Sequence, residues 1–341
     1  VKNNKSRKLP LILSIIVSLG LIIYLFSRVD LNSFLNQFDR VNLALFIPYF
    51  IFYVALTFLS FYLRAIRWRE LLPNGRELSL SALFDATFLG TFGNTVLPLR
   101  AGEFIRPWAL SKWQPITFGA SFAGVVSERV FDVFALMVCI GLASGELHEL
   151  PEIVIVGARA LGLVALIIAV GMIISYFYAA QVIEISKKCL IIFPAQIRER
   201  LLSLITEFVN GLKSIKNLKG LAIVIGSSLL IWAVISLAAQ VVLWMFDIYP
   251  SFWVGFVTNI MVGLAVAAPS SPGFVGVIQA GCVLSLSRIY HYEEEFALAY
   301  SLLYHLLSVL VIVIYSLFVL TKRGLKLSSL LHAAEPENTS T

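Results

Sequence analysis

Apolar residues in this chain fall into eight runs, each near the roughly 20 residues that cross a bilayer's hydrocarbon core. They are Leu9–Phe26, Leu43–Leu63, Leu78–Leu97, Ile116–Ala143, Ile153–Ala180, Leu221–Phe246, Phe252–Leu284 and Phe296–Leu320. The pattern predicts a bundle of membrane helices. Two runs are broken: the first at Gly90, Gly93, Pro98 and Gly102, the second at Pro269-Ser-Ser-Pro272-Gly273 and Gly276. Lipid cannot hydrogen-bond an interrupted backbone, so such segments persist only against protein or around a wet cavity. Between Gln181 and Lys219, Leu201, Leu204, Ile205, Phe208 and Leu212 recur at helical spacing beside Lys and Arg. That spacing predicts an amphipathic connector lying at the membrane surface.

Basic residues then orient the helices. If all eight runs crossed and the basic N-terminus lay inside, the Gln181–Lys219 stretch with its seven Lys and Arg would lie outside. This conflicts with the positive-inside bias, so one early run does not cross. A first hairpin that dips in from the cytoplasm and returns through Arg100–Lys112 resolves the conflict. By the same logic Phe252–Leu284 dips in from outside. Cytoplasmic segments then carry 18 basic residues: four at the N-terminus, four between Arg64 and Arg76, seven in the connector and three at the C-terminus. Outside loops carry three, Arg28, Arg40 and Arg288, alongside the acidic groups Glu146, Glu149, Glu152 and Glu293, Glu294, Glu295. The expected fold class is an all-α polytopic membrane protein with about six crossing helices. Two re-entrant broken-helix hairpins enter it from opposite faces, in the manner of an inverted repeat. Both termini are cytoplasmic.

Composition excludes most alternatives. The 341 residues are 59% hydrophobic and 13% charged, with a mean hydropathy of +0.89, whereas soluble domains are about a quarter charged. Residues 1–326 are expected to form one transmembrane domain, with 181–219 as its cytoplasmic connector and 327–341 as a polar tail. Leu9–Phe26 reads as a retained helix, since no small-residue cleavage site follows it. The net charge of +6 sits in clusters flanking apolar runs, which favours anionic lipid headgroups over nucleic acid as partners. Cys139, Cys189 and Cys282 lack metal-type spacing, and no metal or other cofactor is expected.

Candidate chemistry lies in two charged groups at membrane depth. Glu128, Arg129 and Asp132 sit mid-helix, where each unpaired charge costs about 2.5–3.5 kcal/mol on insertion scales. Arg100, Glu103 and Arg106 recur every third residue beside the first hairpin's break, with Asn94 just before it. A neutral network of three positive and three negative charges joining the two groups would satisfy both. It either only fastens the hairpin or lets Arg100 or Arg106 exchange a carboxylate for a phosphate, which a guanidinium binds bidentately. In the second hairpin Ser270, Ser271 and Gln279 offer neutral hydrogen bonds to a headgroup. Arg64, Arg67, Trp68 and Arg69 read as interfacial anchors. His305 reads as a helix-packing histidine, and His291 as part of an acidic loop. No Ser/His/Asp order, P-loop or paired Cys motif is present, so no catalytic residue is assigned.

Four ordered motifs, Arg64-Ala-Ile-Arg67-Trp68, Asn94 to Arg106, Glu128-Arg129-Val-Phe-Asp132 and Pro272-Gly273-Phe-Val-Gly276, resemble the transmembrane flippase-like domain of lysylphosphatidylglycerol synthases. The resemblance spans about Leu9 to Leu320. It implies an inner-membrane protein that moves a phospholipid or lipid-linked headgroup between leaflets. A lipid-modifying enzyme is an expected partner. The alternative it leaves open is a membrane-embedded enzyme or accessory subunit acting on polyprenyl-phosphate or glycolipid substrates. Two positions depart from the family pattern: Leu99 where many relatives have Gly, and Gln279 where many have Glu. Without the soluble aminoacyl-transferring domain of the full-length synthases, this chain alone is not expected to make lysylphosphatidylglycerol.

Overall fold

The computed structural model describes residues 19–98, 100–143, 177–212, 218–267 and 271–334, with positions 156, 163, 166–167, 170–171 and 174–175. Among them all regular structure is helical. The first helices are α1 (Leu31–Asn36), α2 (Leu43–Leu71), α3 (Leu80–Val96), α4 (Gly102–Trp113) and α5 (Phe118–Leu142). They are followed by α6 (Ala179–Cys189), α7 (Ala195–Leu212), α8 (Leu218–Met245) and α9 (Phe252–Ala267). The last are α10 (Val277–Val283), which runs on through a π turn at Leu284–Ile289, then α11 (Glu294–Lys322) and α12 (Leu327–Ala334). Four segments are long and apolar enough to cross a membrane: Leu43–Leu71, Lys219–Met245, Pro272–Ile289 and Glu294–Lys322. Helix α5 has the length, with 25 residues, but carries three charges at its middle. The acidic loop at Glu146–Glu152, most of the Leu9–Phe26 and Ile153–Ala180 runs, and Lys213 and Lys216 lie outside the described residues.

Both broken runs fold as helical hairpins. In the first, α3 and α4 turn back on each other so closely that a Cβ on Gly102 would sit 1.7 Å from the Gly90 carbonyl oxygen. Asn94 Oδ1 accepts from Gly102 N at 2.9 Å and so pins the start of α4 to α3. At the open end Ser79 N donates to Gln114 Oε1 at 2.9 Å, so the hairpin leaves where it began. The second hairpin pairs α9 with α10 and its π turn. A Cβ on Gly281 would meet Val262 Cα at 2.8 Å, and the Thr258 and Ser285 hydroxyls hydrogen-bond at 2.9 Å.

Helix α11 shows that the hairpins rise from opposite ends. Its 29 residues span about 43 Å at 1.5 Å per residue. Near its C-terminus Lys322 and Arg323 bind the buried Asp85 of α3, with Nζ to Oδ2 at 2.9 Å and Nη2 to Oδ2 at 2.6 Å. Just before its N-terminal turn, Arg288 at the base of the second hairpin binds Glu294 at 2.7 Å. The hairpin tips meet between these ends, where a Cβ on Gly273 would lie 3.2 Å from the Thr95 carbonyl oxygen.

Helices α2 and α8 run antiparallel, with Asn42 N donating to Met245 O at 3.2 Å. The order long helix, hairpin, long helix therefore occurs twice, as α2 to α5 and as α8 to α11, in opposite senses. The largest apolar cluster joins α2, α8, α9, α10 and α11. A second joins α2, α3, α4 and α11 and buries Leu330 of α12, so the predicted polar tail begins as a helix docked on α4. A third packs α5 on α9. The predicted connector does form helices, and α7 packs against α5.

Candidate functional site

Three helices contribute to a chain of alternating charges. On α4, Arg106 donates through both Nη atoms to Glu128 of α5 at 2.5 and 3.1 Å, and its Cζ stacks 3.9 Å above the Trp68 ring. Glu128 also faces Arg67 of α2, with Nε to Oε1 at 3.6 Å. Arg67 Nη1 donates to Asp132 Oδ1 at 2.6 Å and to Ser228 of α8 at 3.1 Å. Asp132 is 3.4 Å from Arg129, which is 3.5 Å from Glu103. Glu128 and Asp132 lie one helical turn apart and present both carboxylates to α2. Arg67 and Glu128 are fully buried. Each would carry a desolvation cost of several kcal/mol without its partners.

Beside the chain, where the hairpin tips meet, lies a cavity of about 270 Å³. Its charged lining is Arg64, Arg100, Glu103 and Arg129. The rest is lined by hydroxyls such as Thr57, Ser60 and Tyr304, and by apolar side chains including Leu56 and Ile235. Arg100 comes from the first tip with φ of 53°, in the left-handed region that few non-glycine residues adopt. Its Nη2 donates to the Val266 carbonyl oxygen of the second hairpin, and its Cζ lies 5.8 Å from the Phe274 ring centroid. Arg64 lines the cavity from α2 and makes no hydrogen bond or ion pair with any described residue. Arg129 is half-exposed, and its two ion pairs are long.

Seven of the ten predicted site residues fall into two groups. Arg100, Glu103, Arg129 and Asn94 line the cavity, although the Asn94 side-chain oxygen is occupied as the cap of Gly102. Arg106, Glu128 and Asp132 form the ion-paired chain behind it. Arg100 does not share a helical face with Glu103 and Arg106, because α4 begins only at Gly102 and Arg100 precedes it in a left-handed turn. Gln279 is buried and does not reach the cavity. Its Oε1 accepts from Gly276 N at 2.8 Å and its Nε2 lies 3.0 Å from His305 Nδ1, so it shapes the second tip. Ser271 is half-buried beside Pro272. Ser270 and Leu99 lie outside the described residues.

The anchoring role expected of Arg64, Arg67 and Trp68 is overturned. Helix α2 runs past Leu63 to Leu71, which carries Arg67 and Trp68 into the core and Arg64 to the cavity wall. Their three-residue spacing on a helix continuous with an apolar run was the available signal. Asp85 is not among the expected site residues, although a carboxylate inside the apolar run Leu78–Leu97 is visible in the sequence. It is buried and held by Tyr315, Lys322 and Arg323.

Long apolar helices, paired hairpins and a charged cavity between their tips define a polytopic α-helical membrane protein. Residues 11–316 match the family described as the lysylphosphatidylglycerol synthase TM region, and the chain belongs to that family. Among curated proteins it is similar to glycosyltransferase AglD of Haloferax volcanii, with 27% identity over 282 residues. That match covers 72% of this chain and 44% of the relative. No solved structure matches.

Proposed function

We propose that this protein is a flippase-like transporter that carries a lipid headgroup between leaflets through the cavity at the hairpin tips. The observation that carries this reading is the meeting of two oppositely directed hairpins around a cavity walled by Arg64, Arg100, Glu103 and Arg129. A cavity of about 270 Å³ lies at the small end of ligand pockets and suits a phosphate-bearing headgroup and not a whole lipid. The acyl chains would stay in the bilayer. Hairpins from opposite ends with a site between them suit alternating access, in which one tip opens while the other stays closed. The hairpins are then re-entrant, the protein lies in the cytoplasmic membrane, and both termini face the cytoplasm. Arg100 is the natural moving contact, since it ties one tip to the other through Val266 O and Phe274.

The test is leaflet exchange of headgroup-labelled lipids in liposomes carrying the purified protein, read with a membrane-impermeant quencher. Exchange should depend on the protein and fall about tenfold or more in Arg100→Ala, in keeping with the loss of a charge-assisted contact. Protein-independent exchange, or full exchange by a folded Arg100→Ala variant, would overturn the reading. The second reading, a membrane-embedded enzyme or accessory subunit acting on polyprenyl-phosphate or glycolipid substrates, draws on the relative's name as a glycosyltransferase. A change in the lipid's mass during the same assay would select it.

A further inference from the structure

The charge network around the cavity is not neutral. The two groups evident in the sequence balance at three positive and three negative charges, but the fold adds Arg64 and Arg67 to them. Five guanidiniums, those of Arg64, Arg67, Arg100, Arg106 and Arg129, now face three carboxylates, those of Glu103, Glu128 and Asp132. Among the described residues the other buried carboxylates are committed elsewhere, Glu70 to Arg76 and Asp85 to Lys322 and Arg323. The excess is therefore two positive charges, and it is localised. Arg67 and Arg106 are consumed by Glu128 and Asp132, while Arg64, Arg100 and Arg129 share only Glu103 and the far side of Asp132 across the cavity wall.

Spare donors point the same way. Arg64 has no acceptor among the described residues, Arg100 has only a backbone carbonyl, and Arg67 Nη2 is buried without one. A low-dielectric site penalises an unbalanced charge, so the ligand that fits best restores neutrality. Building on the transport reading above, we propose that the cavity selects a dianionic phosphate headgroup, a phosphomonoester or a diphosphate, with Arg64 as the residue that sets this preference. A phosphomonoester carries about −1.5 to −2 at neutral pH, whereas a phosphodiester carries a single charge and a zwitterion none.

The test measures binding of short-chain lipids to the full chain in detergent. The probes are dioctanoyl phosphatidic acid as the monoester, cytidine diphosphate-dioctanoylglycerol as the diphosphate, dioctanoyl phosphatidylglycerol as the diester and dioctanoyl phosphatidylcholine as the zwitterion. At least one of the first two should bind about tenfold or more tighter than phosphatidylglycerol, and the tighter of the two identifies the source of the dianion. Phosphatidic acid should also gain affinity as pH rises through its second ionisation near about 6, while phosphatidylglycerol does not. Arg64→Gln should erase the preference and Arg64→Lys should retain part of it. If Arg64→Gln fails to fold, the wild-type lipid series and Arg64→Lys still decide. Equal affinity for phosphatidylglycerol and both dianions, or an unchanged preference in a folded Arg64→Gln variant, overturns the proposal.

The two readings fail separately. Leaflet exchange of phosphatidylglycerol as fast as that of both dianions, with equal binding, removes the charge preference and leaves transport standing. Tight binding of a dianion that depends on Arg64, without exchange between leaflets, removes transport and leaves the site.

Discussion

Arg67 has no water to fall back on. It is fully buried between Asp132 and Glu128, and its removal takes from Asp132 its shortest ion pair and leaves Glu128 with Arg106 alone. Arg67→Ala should destabilise the protein by about 3–5 kcal/mol, the range for breaking a buried pair, read as a lowered thermal midpoint in detergent. Glu128→Gln should be nearly as damaging, since Arg106 and Arg67 both lose their shared carboxylate. Gly102 makes a complementary point about shape. A methyl group there would need the space of the Gly90 carbonyl oxygen, 1.7 Å away, so Gly102→Ala must push α3 and α4 apart. Overpacking typically costs about 1–3 kcal/mol, and leaflet exchange should fall with stability because Arg100 is carried two residues upstream. Arg64, by contrast, has no partner among the described residues to strand. Arg64→Gln should leave the thermal midpoint close to wild type, which is what makes it a clean probe of the cavity. The sequence already displayed Glu128, Arg129, Asp132, Arg100, Glu103 and Arg106, because charge inside an apolar run is visible without a structure. It displayed the spacing of Arg64 and Arg67 but not their burial, because a cation at the end of an apolar run looks the same whether it packs inward or faces the interface.

Each hairpin is short, tightly packed and closed at its base. The ends of the first are joined by Ser79 and Gln114, so exposed residues on its two limbs should be reached from the same side of the membrane. Single cysteines at Ser81 and Lys112, in a chain with Cys189→Ser, should both react with a membrane-impermeant thiol reagent added from one side. Labelling from opposite sides would show that α3 or α4 crosses instead. The base is also latched, because Asp85 collects Tyr315, Lys322 and Arg323, and Arg323 stacks on Trp113 of α4 with its Cζ 4.6 Å from the ring centroid. Asp85→Asn should cost less than the Arg67 substitution, about 1–3 kcal/mol, since Lys322 and Arg323 are partly exposed and can reach solvent. Its signature should be local, as faster amide exchange in α3 and α4 than in α8. Glycine and proline punctuation made both breaks legible in the sequence. The partners of each limb were not, because helix packing is decided by side-chain shape along whole faces.

At the scale of the molecule, two sets of long helix, hairpin and long helix are arranged in opposite senses around one cavity. No sequence repeat announces this, since each half needs only apolar helices and a break, and many sequences satisfy that. What the sequence determined by itself was the helical class, the apolar runs, the positions of both breaks and the charges that cannot face lipid. All of these follow from the bilayer's refusal to solvate polar groups, a constraint that acts on each segment separately. Tertiary structure alone decided that α2 continues through Arg64 and Arg67, that the hairpin tips meet, and that three carboxylates must serve five arginines. Those outcomes depend on which helices become neighbours, and charge balance in a buried site is a property of the neighbours together and of no single segment.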